Sequence, residues 1–130
     1  MKAIIIDDST AAIETLADKL KKYEDIQLVG TATNGNIGLN LANEVCPDVM
    51  FLDIELPDMS GVEFLEQINV TLNEHCQVVM YTGYPQYMLP AFRNNAFDFL
   101  LKPIDDKELD NIINRIRHTQ NKHSAQTDLD

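Results

Sequence analysis

The sequence predicts an α/β domain built on a doubly wound, five-stranded parallel sheet. Short apolar runs alternate with stretches of helical period, five of each, which is the pattern of repeated strand–helix units with helices on both sheet faces. The runs Ala3-Ile4-Ile5-Ile6 and Val49-Met50-Phe51-Leu52 read as buried strands. At 130 residues the chain fits one domain and is long enough to bury a core without staples. Right-handed crossovers are expected.

Each element has its own signal. Residues 2–7 form the first strand, and Ser9 caps a helix over 10–22 with Ile13, Leu16 and Leu20 on one face. Ile26, Leu28, Gly30 and Ala32 alternate through a second strand over 26–33. It is the least apolar of the strands, so it belongs at the sheet edge. Asn34-Gly35 opens a turn into a helix that runs to Val45 and is stopped by Pro47. The third strand ends in Asp53, and the loop Leu56-Pro57-Asp58-Met59-Ser60-Gly61 follows it. Ser60 caps a third helix with Val62, Phe64, Leu65 and Ile68 facing inward. Strands at 77–82 and 96–101 follow. Pro90 falls where a fourth helix belongs; a late start near Leu89 leaves 83–88 as loop, and the alternative is a kink. The last helix begins near Asp105, a favourable acid for an N-terminus, and buries Leu109, Ile112, Ile113 and Ile116. From about Asn121 the polar chain is expected to fray.

Composition removes several functions. Ten basic residues against twenty-one acidic ones leave a net charge of -11, which repels nucleic-acid phosphates, so no direct nucleic-acid binding is expected of this segment. No apolar run approaches the roughly 18 residues of a membrane helix. The N-terminus runs into a strand pattern without a signal-peptide layout, and a cytoplasmic location is expected. Cys46 and Cys76 read as reduced, buried thiols. His75, His118 and His123 are too scattered for a zinc site.

The chemistry lies at the strand tips. In an open parallel sheet, ligands bind beyond the carboxyl ends of the strands where the strand order reverses. With order 2-1-3-4-5 that point lies between the first and third strands, flanked by Asp7, Asp8 and Asp53. Thr82 and Lys102 end two further strands on the same edge. Three clustered carboxylates either keep a proton or gather a cation. Magnesium suits them, because it takes carboxylates, carbonyls and water and leaves positions open for phosphate oxygens. A carboxylate is also a competent nucleophile toward phosphorus. Lys102 and the Thr82 hydroxyl are placed to steady the moving charge, and Gly83 leaves a path to it.

Asp7-Asp8, Asp53, Pro57, Gly61, Thr82, Phe99 and Lys102-Pro103, in that order and spacing, make the chain resemble a receiver domain of a two-component response regulator, a flavodoxin-like fold. The match spans roughly residues 1–120; the domain is set at 1–122, with 123–130 a polar tail or linker. The resemblance implies that Asp53 accepts a phosphoryl group from a histidine kinase. It implies Mg2+ held by Asp8, Asp53 and the backbone carbonyl of Glu55, with Asp7 assisting partly through water. It implies a switch in which Thr82 moves inward and Phe99 turns from exposed to buried. The surface of helix four, strand five and helix five then changes to control an output, and a homodimer on phosphorylation is one form that output takes. The Lys102-Pro103 bond is often cis in the family. Glu55 and Tyr84 flank the site where acyl-phosphate lifetime is tuned. The stretch from Thr82 through Asp105 is similar to the subgroup in which the receiver precedes a DNA-binding domain of the LytTR type.

Other functions fit less well. An aspartyl phosphatase usually carries a second acid two residues after its nucleophile, and here Ser9 stands at that place after Asp7. A flavin-binding module needs a phosphate-cradling loop after the first strand, where Asp7-Asp8 repel phosphate. The chain is not expected to be a turnover enzyme beyond its own phosphorylation and dephosphorylation. Tyr81, Tyr84 and Tyr87 read as packing and surface residues.

Overall fold

A computed structural model of the chain describes residues 1–68, 76–93 and 96–129, with side chains described through 121. His75, Asn94, Asn95 and the His123 side chain therefore lie outside the described residues. Five parallel strands, β1 (Lys2–Ile6), β2 (Gln27–Ala32), β3 (Val49–Asp53), β4 (Gln77–Thr82) and β5 (Asp98–Leu101), form one sheet in the order β2-β1-β3-β4-β5. This is the flavodoxin-like, doubly wound order expected. The helices are α1 (Thr10–Leu20), α2 (Gly35–Val45), α3 (Gly61–Ile68), α4 (Met88–Arg93) and α5 (Asp106–Leu129).

The period-two alternation of each strand divides the core into two layers. Ala3, Ile5, Val49, Phe51, Val79 and Leu100 pack against Ile13, Leu16 and Leu20 of α1 and Leu109, Ile112, Ile113 and Ile116 of α5. Ile4, Ile6, Met50, Leu52, Val78 and Met80 pack against Ala42 of α2, Phe64, Leu65 and Ile68 of α3 and Ala91 of α4. Every residue of β3 is buried, as a central strand requires, whereas the edge strand β2 buries only Ala32. Val62, expected inside, is half-buried, because it sits one residue off the Phe64–Leu65–Ile68 stripe.

The caps expected at Ser9 and Ser60 form, and Asn34, read from the sequence only as part of a turn, caps α2 as well. Ser9 Oγ accepts the Ala12 N–H at 3.2 Å, Asn34 Oδ1 accepts the Ile37 N–H at 2.8 Å, and Ser60 Oγ accepts the Glu63 N–H at 3.0 Å. Asp105 Oδ1 accepts the Lys107 N–H at 2.7 Å at the start of α5. That helix is tied to α1 and the turn after it by Lys19–Asp106 at 2.7 Å, by a two-pronged Arg117–Asp25 pair and by Tyr23–Asp110.

Several elements differ from expectation. β5 begins at Asp98 rather than 96, and β1 and α1 end one and two residues early. α5 continues through Leu129, past the point of expected fraying, since 121–129 holds neither Gly nor Pro to stop it. Helix four does start late. Pro90 occupies the third position of α4, inside the first turn, where an N–H has no partner within α4 and its loss is tolerated. Residues 85–87, expected as plain loop, form a 3-10 turn with Pro85 in its first position.

Neither cysteine is fully buried: Cys46 is exposed and Cys76 half-buried, both as free thiols. Cys46 ends α2 in the left-handed region, φ 48° and ψ 66°, with its N–H on the Ala42 carbonyl at 3.0 Å. Glycine takes that conformation without the Cβ clash. Cys46→Gly is therefore expected to stabilise the chain by about 0.5–1 kcal/mol, read as a higher urea midpoint at unchanged slope.

Candidate functional site

The strand alternation that sorts the core also aims the site. Asp7 continues the Ala3–Ile5 face of β1, Asp53 the Val49–Phe51 face of β3, Tyr81 the Val79 face of β4, and Lys102 the Leu100 face of β5. All four project on the α1/α5 side at the carboxyl edge. Thr82 and Phe99 have the opposite parity, with Met80, toward α3 and α4.

The expected residues come together. Oxygens of Asp7, Asp8 and Asp53 lie within 4.8 Å of one another. Lys102 Nζ sits 2.9 Å from Asp7 Oδ2 and 3.4 Å from Asp53 Oδ2. The Lys102-Pro103 peptide is cis. Asp53 Oδ1 accepts the Glu55 N–H at 3.3 Å, and the backbone of Glu55 is itself held in an isolated antiparallel bridge to Ser60. Thr82 is buried, and its Oγ1 accepts the Tyr84 N–H at 3.3 Å. Asp8, Asp53, Glu55, Thr82, Gly83, Tyr84 and Lys102 line an open cleft of about 450 Å³. A Cβ at Gly83 would meet nothing within 4 Å, so no packing blocks the approach there. Phe99 is half-buried against the α3/α4 core.

The three acids are not equivalent. Asp7 is fully buried and Asp53 is 6% exposed, whereas Asp8 is open to water. Burial pushes the Asp7 carboxyl up, but bonds from Tyr81, Lys102 and the Ser9 N–H, with the charge of Lys102, outweigh it and hold the group below its ordinary range. Asp53 has weaker donors. Burial first, and then the neighbouring Asp7 charge, push it up to about 6 against the pull of Lys102. Burial works to lower the Lys102 ammonium, yet the bond to Asp7 and the charges of Asp53 and Asp7 win and raise it. The result is an ionised Asp7–Lys102 pair beside a carboxyl whose charged form is disfavoured by burial and by the Asp7 charge. The donor set is all hard oxygen, which fits a magnesium-type ion.

Two contributors were missed from the sequence. The Tyr81 hydroxyl donates to Asp7 Oδ2 at 2.6 Å, and Lys102 Nζ lies 4.6 Å above the Tyr81 ring. Parity with Val79 was the available signal. Asp58, in the loop after β3, accepts the Gly35 and Asn36 N–H groups at 2.7 and 2.9 Å and so fastens that loop to the start of α2.

Known proteins resemble this chain in sequence and in fold. The family model of the response regulator receiver domain matches residues 3–114. An uncharacterized response regulatory protein of Vibrio vulnificus is 41% identical over 125 residues, covering 96% of this chain and 50% of that protein. The transcriptional regulatory protein BtsR of Escherichia coli is 35% identical over 125 residues, covering 96% and 52%. The chain thus spans about half the length of the curated relatives it matches. Among solved structures, the response regulatory domain of protein mrkE from Klebsiella pneumoniae superposes with a TM-score of 0.86 at 25% identity, covering 94% and 99%. The response regulator domain of Thermotoga maritima CheB gives 0.80 at 28%, covering 93% and 96%.

Proposed function

The chain belongs to the response regulator receiver domain family, and on that premise we propose that Asp53 is the phosphoacceptor of a signalling switch. The observation that carries this reading is the setting of Asp53: nearly buried, its carboxyl pushed up to about 6, it faces an open cleft between an acidic pair and a lysine. An Asp53 oxygen attacks phosphorus in line, the bond to the histidine nitrogen of a partner kinase breaks, and the imidazole leaves. Asp8, Asp53 and the Glu55 carbonyl would hold Mg2+, with Asp7 assisting partly through water. When bound, the ion offsets the charge of the transferring group. Lys102 and the Thr82 hydroxyl supply charge and hydrogen bonds to the phosphoryl oxygens. The chain catalyses only its own phosphorylation and dephosphorylation.

The output follows from the two faces of the strands. Thr82 and Phe99 share the α3/α4 side, so a hydroxyl drawn to Asp53 frees space beside Phe99, and the α4–β5–α5 surface changes with it. Phosphate shifts the equilibrium because it contacts the two arrangements differently. The surface acts on an output domain or partner, with a homodimer as one outcome. The match to about half of a transcriptional regulatory protein and the similarity of the Thr82–Asp105 stretch to the LytTR-type subgroup support a DNA-binding domain of that type as the output. With a net charge of -11 the receiver itself makes no nucleic-acid contact. Among the described residues no helix is long and apolar enough to cross a membrane. The proposed location is cytoplasmic.

The test is the amide spectrum with magnesium and beryllofluoride, a phosphoryl mimic. Shifts centred on Asp53, Thr82 and Phe99 that require both components are expected. A spectrum unmoved at saturating concentrations of both would sink the reading.

A further inference from the structure

We propose that Tyr81 is a positioning residue whose hydroxyl releases Lys102 from Asp7, so that the lysine can follow a phosphoryl group onto Asp53. The inference rests on the phosphoacceptor reading above and adds a residue to it.

Asp7 has no exposed surface, and apart from the proposed water-mediated link to magnesium its oxygens take their partners from the protein. Oδ1 takes the Ser9 N–H at 2.9 Å. Oδ2 takes two donors, the Tyr81 hydroxyl at 2.6 Å and Lys102 Nζ at 2.9 Å. Lys102 is shared already, reaching 3.4 Å toward Asp53 Oδ2. A phosphoryl group on Asp53 brings anionic oxygens to that side of the ammonium, and the lysine is drawn off Asp7. A buried carboxylate oxygen left without a donor opposes such a move. Here it is not left without one, because the shorter of its two bonds stays behind.

The rest of Tyr81 suits the same task. Its neighbours across the sheet are Asp53 on β3 and Leu100 on β5, which fixes the ring on the α1/α5 face beneath the lysine. The ammonium lies 4.6 Å above the ring centroid, an attractive position that does not hold it to either carboxylate. The phenol gives up no proton in this role. Burial, then the bond to Asp7 and the charges of Asp7 and Asp53, hold its proton on.

Tyr81→Phe keeps the ring, its packing and the surface under Lys102, and removes only the hydroxyl. In the full chain at saturating magnesium, this variant is expected to bind beryllofluoride about tenfold or more weakly than the parent, the usual scale for a lost hydrogen bond to a buried charge. Amide shifts read the affinity, and a melting curve confirms the fold. In a Lys102→Gln background the same substitution is expected to cost nothing further, since no lysine remains to be released. Tyr81→Leu serves as a second variant should the first fold poorly, and it should lose at least as much. Unchanged affinity in whichever variant folds overturns the proposal while leaving Asp53 as acceptor intact. Additive losses in the Lys102→Gln background overturn the route through Lys102. A parent chain that ignores beryllofluoride removes the phosphoacceptor reading itself, and the proposal with it.

Discussion

Asp53→Asn is expected to reduce phosphoryl labelling by acetyl phosphate to background and to raise the melting temperature at the same time. Both results follow from one placement. On the proposed reading the carboxylate is the nucleophile, and an amide oxygen forms no stable acyl phosphate. The same carboxylate is 6% exposed beside Asp7, and its ionised form is disfavoured by burial and by that neighbour. An acid whose folded pKa is raised contributes stability that is fully present below its unfolded value near 3.8 and is lost as the pH rises through about 6. At pH 8 the ionised group therefore costs the metal-free fold up to about 3 kcal/mol. The neutral amide of similar shape does not carry that cost. In magnesium-free buffer the variant should melt above the parent at pH 8, and the gap should close between pH 6 and 4. Added magnesium should raise the parent's melting temperature more than the variant's, because on the proposed reading the ion loses one of its ligands. Undiminished labelling would remove Asp53 from the chemistry, and a variant melting below the parent at pH 8 would contradict the burial argument.

Much of this site was legible because its chemistry lies where apolar runs stop. β3 and β4 have the predicted bounds, 49–53 and 77–82, since fully covered strands leave continuous apolar runs with sharp polar ends. Asp53 and Thr82 are those ends. Asp7, Asp8 and Lys102 follow from the same rule on neighbouring strands. What the sequence did not show is pairing across distance. The Tyr81–Asp7 bond joins residues 74 apart and becomes visible only once β1 and β4 flank β3 and the parity of each strand is laid over its neighbours. A tyrosine in an apolar strand looks the same from either side of that fact. Cys46 was misread for a related reason. Residue type suggests burial, but the end of α2 turns it outward, and only the backbone at that turn says so. Pro90 was read correctly as marking a late start, because proline's constraint is local and needs no partner.

Gly61→Ala is expected to cost about 2–3 kcal/mol of stability, the upper part of the range for overpacking, and to weaken beryllofluoride binding in the molecules that remain folded. Gly61 is the first residue of α3, and its N–H donates to the Ile54 carbonyl at 2.5 Å. Its backbone torsions are ordinary; the reason for glycine here is closeness. A Cβ would lie 2.6 Å from the Asp53 carbonyl oxygen, 2.7 Å from Ile54 Cα and 3.0 Å from Met80 Cε. The methionine end can swing away. The first two atoms are backbone at the tip of β3, and they can yield only by moving Asp53, the proposed acceptor. Gly83→Ala provides the contrast, because a Cβ there meets nothing within 4 Å and stability should change by less than about 0.5 kcal/mol. Denaturant midpoints of the two variants decide the matter. If Gly61→Ala unfolds with the parent, α3 does not press on β3 as described. If it is destabilised but binds beryllofluoride as the parent does, the strain relaxes into α3 and leaves Asp53 in place. Loss of both stability and affinity shows that the start of α3 holds the acceptor in position.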